Sequence, residues 1–458
     1  MQSSKHRTAD LAAAIDAAIT RQWGGLARAS LVALSAVLVA SGFWYAPDTQ
    51  AGNAYLVNTS GDPGPPGTLS LRQAITSANA ADGNTVSFAP SLVGSTITLA
   101  SGEIPIVKAT TITGPGAGAL VISGNNVSRV FNISPGFKPV TISGLTITHG
   151  FSPGNGGAIV SQQATLTISN AVIRDSKATR GGGIYFATGN VSIEDSRLTG
   201  NLATAVGGAI YAADHFYMRR DTVDGNTAGE LCGGICVFSA AVAYISSSTI
   251  SGNVVPQPSE YNNHSHGAGG LGMEGVALGT VYNSTIANNY AYTNGGGVFL
   301  LDAGTANHMR IYTSTIAGNG AQLYETGIGI TAPAGNALIF GSIIANNTTA
   351  GANADDDLAG SFTVTSSLVK NPGAATLSGT GSLFGQDPQL GPLADHGGPT
   401  WTLLPAVTSP AINALPCSCF PVDQRGAQRA IAHPNADMGA VERQYPEDLI
   451  FRSGFNPP

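Results

Sequence analysis

One apolar position recurs along most of this chain, within short stretches such as STISGN (248–253), STIANN (284–289) and STIAGN (314–319). Successive members of the series lie 26, 25, 25, 27, 36, 30, 28 and 24 residues apart. A period of roughly 20–50 residues is typical of a solenoid, in which each repeat packs on its neighbours. The series comprises Ile147, Ile173, Leu198, Val223, Ile250, Ile286, Ile316, Ile344 and Leu368.

A second apolar series runs in parallel, and a Gly-rich motif such as GGAI or GGGV contains each member. Between the motifs, apolar and polar residues alternate with the period of two that β-strands require, as in TLTISNAVI at 165–173. This alternation excludes helical repeats, and a propeller blade needs a longer repeat of roughly 40–50 residues. The pattern predicts an all-β, single-stranded parallel β-helix (solenoid) of about ten to twelve coils between residues 95 and 385. The second series comprises Ile159, Ile184, Ile210, Ile235, Leu271 and Val298.

An asparagine follows the first apolar position by three residues in seven repeats, and Gly or Asn precedes it in most of them. Gly and Asn tolerate the positive φ that tight turns require, and stacked Asn side chains can bond amide to amide. The motif therefore predicts a turn and a structural ladder rather than a binding groove. The asparagines are Asn201, Asn226, Asn253, Asn289, Asn319, Asn347 and Asn371.

The first 51 residues have the features of a targeting segment. Basic residues precede an apolar run over 31–44, and the small-residue sequence TQA ends at Ala51. This order predicts a signal peptide with a long n-region. The alternative is a membrane anchor, because residues 29–46 carry no charge and are just long enough to span a bilayer.

Residues 69–80, LSLRQAITSANA, predict an amphipathic helix over the first coil. Ser70 and Gln73 form a capping-box pattern at its start. Its apolar face consists of Leu71, Ala74, Ile75 and Ala78.

This N-terminal region, with GTLSLRQAITSANA, NTVSFAP and IPIVKATTITGPG, resembles the module that precedes many bacterial right-handed parallel β-helix proteins and has a signature around CSLREAI. Leu69 stands where that family usually has Cys, and Gln73 where it has Glu. The Gly-rich motifs resemble repeats of polymorphic outer-membrane and autotransporter passenger proteins. The resemblance implies a right-handed β-helix with an N-terminal helical cap.

Residues 386–442 resemble the choice-of-anchor Q domain, which closes such helices ahead of varied sorting or anchoring tails. The short tail EDLIFRSGF (447–455) is similar to one on exported proteins of some Gammaproteobacteria. Together these features divide the chain into a signal peptide (1–51), an N-terminal cap module (52–110), β-helix repeats (111–385), a C-terminal cap (386–442) and a tail (443–458). The matching segments are Asp387-Pro388, Leu390, Leu393, Asp395, Gly397-Gly398-Pro399-Thr400, Ser409-Pro410-Ala411-Ile412, Asp423-Gln424-Arg425-Gly426 and Asp437-Met438-Gly439-Ala440.

Four cysteines occur as CGGIC (Cys232, Cys236) and CSC (Cys417, Cys419). Cys232 and Cys236 are too far apart to pair along a straight strand, so a disulfide between them requires a turn. Local disulfides, disulfides between the two pairs, and free thiols all remain open. A zinc site would require both pairs to converge.

Candidates for metal or catalytic chemistry are few. Asp355, Asp356 and Asp357 form the densest acidic cluster and are candidate Ca²⁺ ligands, although a solvated loop explains them as well. An insertion at 254–269 contains His264 and His266, which could bind a metal together with Glu260, although a plain polar loop is the simpler explanation.

Other charged residues have structural explanations. Asp175, Asp195, Asp221 and Asp224 occupy different positions of the repeat, so they do not form one acidic face. His396, in ADHGG, falls in a turn. In YMRRD (217–221), Arg219 and Arg220 are expected to pair with Asp221 at the surface. No catalytic residue is predicted, and no cofactor other than the candidate Ca²⁺ ion.

These features predict an exported, non-catalytic β-helix protein of a Gram-negative bacterium, secreted or associated with the outer membrane at the cell surface. It would act in adhesion or surface interaction, with an extracellular glycan or protein as its partner. A net charge of −7 without a basic stripe argues against nucleic acid. The alternative is a polysaccharide lyase or glycoside hydrolase of the pectate-lyase-like β-helix class, since the fold alone does not decide function.

Overall fold

A computed structural model describes residues 52–238, 242–256, 267–276, 278–301, 308–322, 329–349, 356–416, 420–429 and 434–444. Residues 51–458 form one compact unit, and the described hydrogen bonds and core contacts lie within it. The predicted signal peptide or anchor and nearly all of the tail lie outside the described residues. Within the described part of the chain, no helix has the length and hydropathy of a membrane span.

Most described strands belong to three parallel sheets that wind around one apolar core. Sheet A, with 21 strands, receives two strands from most coils; sheet B has 12 and sheet C has 7. Sheet A comprises Ala54–Val57, Asn84–Phe88, Ile104–Ile106, Thr110–Thr113, Phe131–Ile133, Lys138–Ser143, Ile159–Ser161, Ala164–Ser169, Ile184–Phe186, Gly189–Glu194, Ile210–Ala212, His215–Arg219, Ile235–Phe238, Ala243–Ser246, Leu271–Glu274, Gly279–Tyr282, Val298–Leu301, His308–Tyr312, Ile330–Phe340, Leu358–Thr365 and Thr376–Ser378.

Sheets B and C are built from shorter strands. Sheet B comprises Ser95–Thr98, Leu120–Ser123, Thr146–Thr148, Val172–Arg174, Arg197–Thr199, Thr222–Asp224, Thr249–Ser251, Thr285–Ala287, Thr315–Ala317, Ile343–Ala345, Leu368–Val369 and Leu383–Phe384. Sheet C comprises Lys177–Arg180, Leu202–Val206, Thr227–Ala228, Val254–Val255, Tyr290–Ala291, Gly320–Ala321 and Thr348–Thr349. The predicted right-handed parallel β-helix is confirmed, with one sheet B strand in each of twelve coils of the described region.

The first apolar series is the column of sheet B residues that point into the core. Its members from Ile147 to Ile344 pair in register, coil by coil, as predicted. The predicted last member of the series, Leu368, is wrong by one residue. Ile344 pairs with Val369, and Leu368 pairs with Ile343. Leu368 and Val369 are both apolar, so the sequence pattern alone could not separate these two registers.

The second apolar series forms a corresponding column in sheet A, from Ile159 to Val298, and the structure extends it to Ile330 and Leu358. The Gly-rich motif brings adjacent coils into close contact just before this column. A Cβ atom at Gly208 would lie 2.1 Å from the carbonyl oxygen of Gly233 in the next coil. Glycine is therefore required there by the close approach of two backbones.

The predicted asparagine ladder is confirmed from Asn201 to Asn347, and its turn position takes positive φ, as at Gly318 (69°). Each amide nitrogen donates to the amide oxygen one coil on, for example from Asn253 Nδ2 to Asn289 Oδ1 at 2.9 Å. Asn289 Nδ2 also donates to the carbonyl oxygen of Ile250 at 2.9 Å. Asn371 is not a ladder member, because Asp357 occupies the step after Asn347.

Replacement of Asn289 by alanine is expected to lower the free energy of unfolding by about 2–4 kcal/mol, because buried donors of Asn253 would lose their acceptor. Urea denaturation followed by circular dichroism measures the change. Asn190→Ala, on the outward, half-buried side of sheet A, is the matched control. Equal stability of the two variants would show that the ladder does not stabilise the fold.

The N-terminal helix extends over Leu71–Ala78, and its predicted capping box is present. Ser70 accepts from the Gln73 backbone, and the Gln73 side chain accepts from the Ser70 backbone. The four predicted apolar residues are buried and join the main core. Arg72 binds Asp62 and the carbonyl oxygens of Gly102 and Glu103, so the helix is tied to the first coils.

The described part of the segment 386–442 packs against the outer face of sheet B. It contains one antiparallel pair of strands, Leu390–Ala394 and Thr402–Pro405. The buried Gln424 amide bridges it to the coils: Nε2 lies 2.9 Å from Thr249 Oγ1, and Thr285 Oγ1 donates to Oε1 at 2.6 Å. Closure of the C-terminal end of the rod by this segment stays a prediction.

Gln424→Ala is expected to loosen this segment before the coils unfold, at a cost of about 1–3 kcal/mol, because buried polar groups on both sides lose a partner. Limited proteolysis should cleave the variant faster within 386–442, while the far-ultraviolet spectrum stays unchanged. Gln428→Ala, at an exposed position of the same segment, serves as the control. Equal cleavage rates would show that Gln424 does not hold the segment.

Candidate functional site

Three aromatic side chains are stacked on the outer side of sheet A. In the strand Ile184–Phe186 the two end residues point into the core and Tyr185 points outward. The Tyr185 and Tyr211 rings lie 4.9 Å apart and nearly parallel, because the two residues pair in register. Phe238 extends the stack, with its ring 5.1 Å from that of Tyr211. All three are half-buried.

This aromatic stack adjoins an apolar cluster that is separate from the main core. The cluster contains a disulfide between Cys232 and Cys236, whose Cα atoms are 5.4 Å apart across the Gly-rich turn. Phe299 is buried in the same cluster, and Tyr211 and Phe238 pack against it. The local disulfide is thus the alternative that holds for the first cysteine pair. Cys417 and Cys419 lie outside the described residues.

Both ends of the predicted insertion lie beside this cluster. Val254 belongs to sheet C, and its backbone lies next to Gly233 in the disulfide turn. Gly267 accepts a hydrogen bond from the Cys232 backbone at 3.1 Å. The candidate ligands His264 and His266, with Glu260, lie outside the described residues. The aromatic stack, the disulfide and the ends of the insertion therefore share one side of the β-helix.

A polar group lies on the outer face of sheet A, at the second strand of the coil that contains Tyr211. The Asp214 carboxylate lies 2.7 Å from His215 Nδ1 and accepts from the Gly189 backbone at 2.8 Å. Tyr217 lies on the same face two residues after His215, and burial raises the pKa of its hydroxyl, with Asp214 adding to the shift. The face thus combines aromatic rings with hydrogen-bonding side chains.

The charged side chains of the neighbouring turns are paired. Arg219 binds Glu194 at 2.9 Å, and Arg220 Nε binds Asp195 at 2.6 Å. The predicted surface pairing of these arginines with Asp221 is wrong. A second ladder includes the serines Ser196, Ser248, Ser284 and Ser314, with Asp221 in place of a serine. Asp221 is fully buried and accepts from the backbones of Ser196 (2.7 Å) and Arg219 (2.9 Å). Burial raises its pKa well above the usual range.

Asp357 has a comparable structural role. It is buried at the end of the asparagine ladder and accepts from Asn347 Nδ2 and the Asn371 backbone, both at 2.7 Å. Burial raises its pKa to about 6. Asp356 is half-buried nearby, and Asp355 lies outside the described residues. Over the described ranges no three His, Cys, Asp or Glu side chains are grouped to hold a metal, and the Ca²⁺ site stays a prediction.

The remaining acidic and histidine candidates are distributed as the sequence indicated. Asp175 and Asp195 lie in different turns at positive φ, and Asp224 lies within a sheet B strand, so they form no common face. His396 lies in a turn, with Nδ1 3.1 Å from Thr402 Oγ1. The aromatic stack was missed by the sequence reasoning, although an aromatic residue directly after Ile184 and Ile210 was its signal.

The strand order and register define a parallel β-helix protein with an aromatic, polar outer face. No protein-family model and no curated protein matches the chain. A crystal structure described as pectate lyase Pel9A aligns with 86% of this chain and 97% of its own, at 13% identity and a TM-score of 0.44. This likeness concerns the fold and carries no argument about activity.

The raised pKa of Asp357 makes stability depend on pH. An aspartate carboxyl in the unfolded chain has a pKa of about 4. Between about pH 4 and 6 the folded state therefore binds more protons than the unfolded state, and the free energy of unfolding falls as pH rises. Asp357→Asn should flatten this fall, and thermal unfolding midpoints measured across that range provide the test. The neighbouring Asp356→Asn is the control. If the pH profile of Asp357→Asn equals that of the unaltered protein, the pKa of Asp357 at the end of the asparagine ladder is not raised.

Proposed function

We propose that this chain is an exported, non-catalytic β-helix protein of a Gram-negative cell surface that acts in adhesion or surface interaction. Its family would be that of surface β-helix proteins with a CSLREA-type N-terminal module, outer-membrane-type repeats and a choice-of-anchor Q segment. The partner is an extracellular glycan or protein rather than nucleic acid. The aromatic stack of Tyr185, Tyr211 and Phe238 is the contact surface.

One observation carries this proposal: the stack lies outside the core on the side where the repeat is interrupted by the insertion. Aromatic residues provide large contact area with little loss of conformational entropy, and insertions in solenoids cluster on binding faces. Stacking between half-buried aromatic rings also stabilises the coils, which is a purely structural role. Their position beside the ends of the insertion favours a second, binding role.

Several described carboxylates have structural partners, which supports the proposed non-catalytic role. Acid–base cleavage of glycans requires two carboxyl groups facing one substrate. Here Asp221 and Asp357 are enclosed in ladders, and Glu194, Asp195 and Asp224 are bound to arginines. Each of these five carboxylates thus already has a partner within the coils.

Tyr211→Ala is expected to weaken ligand binding about tenfold, because truncating a central contact aromatic typically costs about 1–2 kcal/mol. The unit 52–458 would first be screened against matrix proteins and glycan arrays, and affinities then measured by surface plasmon resonance. Tyr290→Ala, a half-buried tyrosine of sheet C, is the matched control.

Empty screens would refute the proposal. Release of unsaturated products or reducing ends from pectin, alginate or hyaluronan, abolished by replacing one aspartate, would replace it with the lyase or hydrolase alternative.

A further inference from the structure

Trp401 is a second outward aromatic group, far in sequence from the stack. Its side chain is 56% exposed, whereas the residues on either side of it, Thr400 and Thr402, are buried. The chain contains three tryptophans, and the other two, Trp23 and Trp44, lie within the first 51 residues. Trp401 is therefore the single tryptophan of residues 52–458.

The backbone at Trp401 is firmly held. Its carbonyl oxygen accepts from Thr249 Oγ1 at 2.5 Å and from Gln424 Nε2 at 3.2 Å. Thr400 Oγ1 donates to the carbonyl oxygen of Ser247 at 3.2 Å. Because the backbone is already fixed, a ligand that packs on the ring has to order only the tryptophan side chain.

Trp401 marks the edge of the segment that covers sheet B. The outward column of sheet B runs in register through Arg197, Thr222, Thr249 and Thr285. Thr249 and Thr285 are buried beneath the segment, whereas Thr222 is half-buried and the Arg197 side chain is 56% exposed. Coils lie about 4.8 Å apart, so Thr222 is about 5 Å and Arg197 about 10 Å beyond Thr249. The outward surface of sheet B from Thr222 to Arg197 (the polar floor) therefore begins about 5 Å from Thr249, whose hydroxyl group donates to the Trp401 carbonyl oxygen.

That floor is polar but carries no net charge. Arg197 forms two hydrogen bonds to Asp224, at 2.8 and 2.7 Å, so the guanidinium and the carboxylate neutralise each other. The Thr222 hydroxyl group can both donate and accept. A pyranose ring packs its C–H face on an indole and exchanges hydrogen bonds through its hydroxyl groups. A uronate or a sulfated sugar is negatively charged, and the Arg197–Asp224 pair offers no unpaired cation to bind it.

We propose that Trp401, with Thr222 and the Arg197–Asp224 pair, forms a binding site for an uncharged pyranose sugar of an extracellular glycan. The proposal rests on the proposed surface function and adds a second contact site, separate from the aromatic stack, for which it names the ligand class. One indole beside a polar floor suits a sugar better than a protein, because stable protein interfaces bury about 800 Å² on each partner.

The test is a tryptophan fluorescence titration of the unit 52–458 with cellotetraose, chitotetraose, mannotetraose and xylotetraose, with tetragalacturonate as the charged comparison. A saturable change in emission with an uncharged tetrasaccharide is expected, since Trp401 is the single reporter. Calorimetry should then show at least tenfold weaker binding in Trp401→Ala and a several-fold loss in Thr222→Ala. Val407→Ala, at a 57% exposed position of the same segment, should bind as the unaltered protein does.

Unchanged thermal unfolding of Trp401→Ala would separate lost binding from lost folding, and Thr222→Ala leaves the Trp401 backbone contacts in place. The inference is overturned if no uncharged tetrasaccharide binds, if only tetragalacturonate binds, or if Trp401→Ala binds normally. Ligand capture that fails in Tyr211→Ala but persists in Trp401→Ala would refute the sugar site and leave the proposed surface function standing. Empty screens with every ligand would refute both.

Discussion

Parallel pairing in register is the constraint on which the whole structure depends. Backbone hydrogen bonds hold successive coils about 4.8 Å apart, so equivalent side chains contact one another at every level. That spacing suits amide-to-amide bonding, as between Asn253 and Asn289 at 2.9 Å, and ring stacking, as between Tyr185 and Tyr211 at 4.9 Å. One geometry therefore produces both the internal ladders and the outward aromatic surface.

The same geometry explains why an acidic residue in this chain is a poor indicator of a catalytic or metal-binding site. A ladder position needs an oxygen acceptor for the preceding coil, and an aspartate supplies one as well as serine or asparagine does. Asp221 and Asp357 are used in this way, at the cost of a raised pKa. Features particular to this chain lie instead beside Cys232–Cys236, where the repeat is interrupted, and at Trp401, in the segment that follows the coils.

The coil registers were predictable because apolar, glycine and asparagine positions repeat with the period of the coil. The prediction failed at Leu368, where two adjacent apolar residues offer two registers. Asp357 could not be predicted as a ladder member, because it follows Asn347 by ten residues rather than by a full coil. Trp401 depends on tertiary packing of residues 386–442 against sheet B, which leaves no periodic signal in the sequence.

The asparagine ladder also has a direction. Each amide from Asn201 to Asn347 donates to the next coil and accepts from the previous one, whereas the Asp357 carboxylate only accepts. An interior coil can therefore be duplicated or deleted without leaving an asparagine amide of the ladder unpaired. The last coil is different, because its Asp357 carboxylate ends the ladder. Evolution can in this way lengthen or shorten the rod in steps of about 4.8 Å while the C-terminal end stays the same.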